Sequence, residues 1–164
     1  MLLATWRTEL WHPISVHFPI ALLLGATISF FVSFFRRDGA GKLWRNAANG
    51  MLLAGCVAAW IGIYTGDLAD GIVTRTICDP TVLKAHELAS FTMVYLFSFA
   101  TILNLITFTS FIRVSWKKVM HYFVFVLMIT GSGYLVYTGH LGASLVYEQG
   151  AGVNKPSADC AGFE

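Results

Sequence analysis

The side chains best suited to chemistry in this sequence are its five histidines, His12, His17, His86, His121 and His140. A neutral imidazole offers one nitrogen lone pair, so a group of them can ligate a transition metal or hold haem iron axially. Which chemistry applies depends on whether the chain brings them together. No CxxC or HxxxH spacing occurs, so no local zinc or copper motif is present, and without CxxCH covalent haem c is excluded. Any haem must be held without a covalent link.

The elements that position these residues are transmembrane helices. The chain is 56% hydrophobic and 12% charged, against roughly a quarter charged in soluble domains. Four apolar stretches, at about 14–35, 47–67, 80–112 and 116–147, each reach the roughly 20 residues that span a bilayer. Short connections make neighbours antiparallel, which predicts an all-α, up-down-up-down four-helix bundle over residues 1–153 and a polar tail over 154–164. The opening MLLATWRTELWHP is too polar for a cleavable signal peptide, so the first helix is expected to be retained. A net charge of +2 gives no case for nucleic acid.

Seven of the eleven Lys and Arg, namely Arg36, Arg37, Lys42, Arg45, Arg113, Lys117 and Lys118, fall in the first and third connections. The positive-inside rule puts those connections in the cytoplasm and both termini outside. Cys56 lies within the second helix. Cys78 and Cys160 fall on the outer side, where an oxidising compartment permits a disulfide between them.

This topology gives each histidine a depth. His12, His17, His86 and His140 converge on the outer half of the bundle from three helices, and His121 alone is at the inner end. Ionisable groups in spans are costly and mark functional sites. Two imidazoles on different helices can ligate haem b axially, and the macrocycle needs small residues beside them. The second helix carries Gly55, Ala59, Gly62 and Gly66 on one stripe, and Gly133 lies seven residues before His140 on the same face. Close helix packing also uses such stripes. Zinc or copper bound by three or four of the imidazoles is the alternative. Asp67, at the end of the glycine stripe, is the candidate to orient an imidazole from behind.

The segment His12-Pro13-Ile14-Ser15-Val16-His17-Phe18-Pro19-Ile20-Ala21-Leu22-Leu23, with Thr65-Gly66-Asp67, His86 and the late Tyr137-Thr138-Gly139-His140-Leu141-Gly142, resembles bacterial membrane proteins grouped as domain of unknown function 2231. The resemblance runs to about Val153. Some members sit beside extracytoplasmic cytochrome c-like domains, so it implies redox work, with haem b as an inference that maps onto His12, His17, His86 and His140. It implies nothing for His121 and leaves the tail with Cys160 outside.

The expected function is therefore an electron-transfer subunit in a bacterial inner membrane, not an enzyme by itself. It would hold one or two haems b and work at the outer face with a larger redox complex, a periplasmic cytochrome c or quinone. Transfer across the bilayer is disfavoured because the inner end offers only His121. The alternatives are a non-redox anchor or assembly subunit and a metal-binding membrane protein.

Overall fold

The computed structural model describes residues 7–36, 38–110 and 113–153. A 3-10 turn, Thr8–Leu10, leads into α1 (Trp11–Ser15) and α2 (His17–Phe35), followed by α3 (Gly39–Val73), α4 (Pro80–Ile106) and α5 (Val114–Tyr147). All four spans are long and apolar enough to cross a membrane, with the 3-10 turn, α1 and α2 together forming the first. Among the described residues there is no strand.

Local chemistry sets the boundaries. Pro13 sits in the first turn of α1, where a missing N–H costs nothing. Pro19 has no N–H to give the Ser15 carbonyl, and the helix is interrupted at Val16 between them. The second span starts at Gly39, earlier than the apolar stretch, because the Asp38 side chain caps it by accepting from Gly41 N. Gly41 is obligatory there: a Cβ would lie 2.0 Å from the Arg36 carbonyl oxygen. Asp79 caps α4, with Pro80 in its first turn. That helix ends at Ile106 rather than near 112, closing in turns at Thr107 and Phe108.

The helices form two hairpins, α2 with α3 and α4 with α5, each packed along its length, and the hairpins meet one another more sparingly. Lipid supplies no hydrophobic drive between helices, so close fit must. The core runs through Leu23 and Phe30, Leu52 and Ala59, Val94 and Phe97, Val124 and Met128. Gly55 admits Leu23 and Gly131 admits Phe97, since a Cβ at either glycine would fall within 3.0 Å of that side chain. Small polar links tie helices together: Thr27 to Ser132 at 3.1 Å, Trp60 Nε1 to Ser98 at 3.0 Å, and Asn104 Nδ2 to Asn49 Oδ1 at 3.0 Å. Isoleucine, phenylalanine and tyrosine side chains cover the exterior, as a lipid-facing surface requires.

Both ends of the described chain lie at one end of the bundle. Gly150 and Gly152, with φ of 69° and 68°, turn the chain back after α5, and the Gly152 carbonyl accepts from Arg7 at 3.4 Å. The basic connections lie at the opposite end. The disulfide partner Cys160 and the tail from 154 fall outside the described residues; Cys78 is exposed and Cys56 buried.

Candidate functional site

His12, in the first turn of α1, reaches across to α3. Its Nδ1 lies 3.0 Å from the Gly62 carbonyl oxygen and 3.4 Å from Thr65 Oγ1. The Thr65 hydroxyl is itself 2.8 Å from Ser15 Oγ. His86, in the second turn of α4, makes the matching contact inside the other hairpin, with Nδ1 3.0 Å from the Thr138 carbonyl oxygen on α5. A carbonyl only accepts, so each Nδ1 carries the proton, and in the neutral ring Nε2 is the nitrogen with the free lone pair.

Glycine makes both contacts possible. Gly66 follows the accepting Gly62 carbonyl by four residues, and Gly142 follows Thr138 by four. A helical carbonyl points towards the residue four positions on, so a side chain there would cover it. A Cβ at Gly66 would lie 3.1 Å from His12 Cε1, and one at Gly142 would lie 3.3 Å from His86 Cε1. Each imidazole therefore lies with its Nδ1–Cε1 edge against the partner helix. The two rings then meet across the gap between hairpins, with centroids 6.1 Å apart and planes at 89°.

The structure brings together two of the four expected imidazoles. His17 and His140 are exposed on the outside of the bundle. Gly133 does share a face with His140, but that face points outward, and a Cβ there would meet nothing within 4 Å. Gly62 and Gly66 line the imidazole seat itself, as acceptor and as gap. Asp67 is exposed, and the orienting role expected of it falls to the Gly62 and Thr138 carbonyls. Glu87 pairs with Lys84 at 2.5 Å, and Glu148 accepts from Ser144. Among the described residues no three His, Cys, Asp or Glu side chains gather closely enough to hold a metal ion by themselves.

The family model described as "predicted membrane protein (DUF2231)" matches residues 10–155. The chain belongs to DUF2231. No curated protein and no solved structure matches it. In this DUF2231 chain, sequence reasoning missed Thr65, Thr138 and Gly142. The signal was available in the repeated spacing, Gly62 to Gly66 and Thr138 to Gly142, opposite a histidine in each hairpin.

What the pair can do follows from its lone pairs. Two neutral imidazoles are too few for a zinc or copper site built from three or four protein ligands. They suffice where a planar group already supplies four donors to its metal and needs only the two axial positions filled.

Proposed function

We propose that the chain is a haem b-binding membrane subunit that passes electrons at the end of the bundle carrying both ends of the described chain, where His12 and His86 would hold the haem iron. The single observation that carries this reading is the paired geometry of those imidazoles. The rings lie with centroids 6.1 Å apart across the gap between the hairpins, close enough for one metal centre to take a nitrogen from each. The donor set suits the group: in each ring Nδ1–H is fixed by a backbone carbonyl, which leaves Nε2 as the nitrogen that a metal would take. Such a hydrogen bond also makes the free nitrogen more basic towards a metal.

When bound, haem b would supply one-electron redox chemistry. The chain's own part is to hold both imidazoles in one tautomer and one orientation. A second haem would have to use His17 and His140, whose exposed side chains no contact brings together. At the basic end His121 is the only histidine, so transfer is confined to one end of the bundle. By the positive-inside rule that end is extracytoplasmic, in a bacterial inner membrane. It would meet a periplasmic cytochrome c, another subunit of a redox complex or quinone.

A reduced-minus-oxidised absorbance spectrum of the full chain, expressed with ample haem, tests this. A b-type alpha band is expected, lost in His12→Ala and in His86→Ala and kept in His17→Ala and His140→Ala. Absence of a Soret band in the wild type would sink the reading. The same hydrogen bonds also favour a second reading, a non-redox anchor whose histidines staple each hairpin. In that case His12→Ala and His86→Ala lower thermal stability in a protein that never carries haem.

A further inference from the structure

At the basic end, between α2, α3 and α5, lies a pocket of about 470 Å³ lined by Arg36, Arg45, Lys118 and His121, with Ser33 and Tyr122 adding hydroxyls. We propose that this pocket binds a phosphoryl anion, supplied by the headgroup of an anionic phospholipid or by a free phosphate. Arg45 carries the case. Its guanidinium lies over the Phe30 ring at 4.0 Å and beside the Phe34 ring at 5.1 Å, a cation–π contact. Its Nη1 is buried without a hydrogen-bond partner. A buried donor left unmade is costly, and a planar fork of donors suits phosphate oxygens better than any neutral acceptor.

Nothing anionic already fills that role. Among the described residues the ion pairs are Arg7–Glu9 and Lys84–Glu87, so no carboxylate lies within 4 Å of the basic groups of the pocket. Arg36 and Lys118 are exposed at its mouth. Beside it the exposed Phe31, Phe35 and Tyr122 form an apolar wall along which acyl chains can lie. Basic pockets between transmembrane helices are recurrent headgroup sites. The 19-residue α2 separates this pocket from the His12 region by roughly 28 Å at 1.5 Å per residue. The proposal therefore stands whether or not haem binds.

The test uses the full chain, delipidated in detergent, with thermal unfolding and native mass spectrometry as readouts. Separate arms receive phosphatidylglycerol, cardiolipin, phosphatidylcholine and inorganic phosphate. Retention of phosphatidylglycerol or cardiolipin above phosphatidylcholine, with no effect of phosphate, supports the site and assigns the lipid source. Protection by inorganic phosphate supports it and assigns the soluble source. Arg45→Gln should weaken binding by about tenfold or more, as expected for a charge-assisted hydrogen bond. Because Arg45 also packs on Phe30, the exposed Lys118→Gln gives a second reading in a protein whose fold it leaves intact, with a smaller loss in the same direction. Equal behaviour in all four arms, or wild-type binding by the Lys118→Gln and Arg45→Gln proteins, overturns the proposal.

Discussion

Replacing Gly66 by alanine tests the seat of His12 directly. The new methyl would stand 3.1 Å from His12 Cε1 and 3.2 Å from its Nδ1, inside the roughly 3.5 Å at which carbon contacts become favourable. The ring must give by a few tenths of an ångström. Its Nδ1 is 3.0 Å from the Gly62 oxygen, close to the upper end, about 3.2 Å, of the range where such bonds are strong. Retreat therefore sacrifices the hydrogen bond, at about 0.5–1.5 kcal/mol, while staying in place costs about 1–3 kcal/mol of overpacking. Alanine also returns about 1 kcal/mol of helix propensity. Gly50→Ala isolates that return, because Gly50 lies on the same helix and a Cβ there meets nothing within 4 Å. The cheaper response sets the cost, so Gly66→Ala should be less stable than Gly50→Ala by about 0.5–1.5 kcal/mol, read from reversible unfolding in mixed micelles. If haem binds as proposed, the Gly66 variant also loses haem content or shifts its alpha band, and Gly50→Ala does neither. Equal stability of the two variants, with unchanged spectra, would refute the reasoning.

Gly131→Ala should destabilise by about 1–3 kcal/mol, because its Cβ would fall 2.9 Å from Cε2 of the fully buried Phe97; an unchanged melting temperature would count against the α4–α5 packing. Asn104→Leu should cost about 0.5–2 kcal/mol by stripping Asn49 Oδ1 of its donor, and an unfolding midpoint equal to wild type would show the amide pair to be inert. The Thr81 hydroxyl and then the Thr81 amide, both donating to Asp79 Oδ1, hold the Asp79 carboxyl below its ordinary value. Its folded value is thus lower than its unfolded one, so the stability it adds is present above the ordinary carboxylate value and is lost as pH falls through the lowered one. Asp79→Ala should flatten that acid limb in a melting-temperature series against pH, and an identical limb in both proteins would exclude the cap as its source.

The four spans were legible because lipid forces long apolar runs. Their ends were less so. Lys42 and Arg45 mark a connection by charge, yet both lie on α3, whose first turns lie within the basic connection. Hydropathy reports immersion in lipid, whereas the helix follows its cap at Asp38. At the site, residue type and depth were legible but facing was not. His12 and His17 are five residues apart, roughly 140° around a helix, so one seat cannot hold both, and His17 is exposed. The buried stripe of α5 passes through Gly131, Leu135 and Leu145. Gly133 and His140, two residues beyond Gly131 and Thr138, lie about 200° from that stripe. Their shared face was correctly spaced and turned away from the bundle.

The seats of His12 and His86 separate two roles that a glycine stripe can play. For porphyrin, small residues would be expected to flank open space. Gly66 and Gly142 instead uncover a helical carbonyl four residues earlier, and each imidazole fills the uncovered position. Fixing Nδ1 on a rigid helix fixes how the ring lies, so each hairpin orients one imidazole independently. The distance between the imidazoles is then set by how the two hairpins approach, and that packing is sparser than the packing within either hairpin. It follows that substitutions at Gly66 or Gly142 should act on one ligand each. Substitutions between the hairpins, at Thr27 and Ser132 for example, should change the spacing of both without disturbing either hydrogen bond. If haem binds as proposed, a spectrum that responds to the first kind of change and not to the second would place it on one hairpin alone.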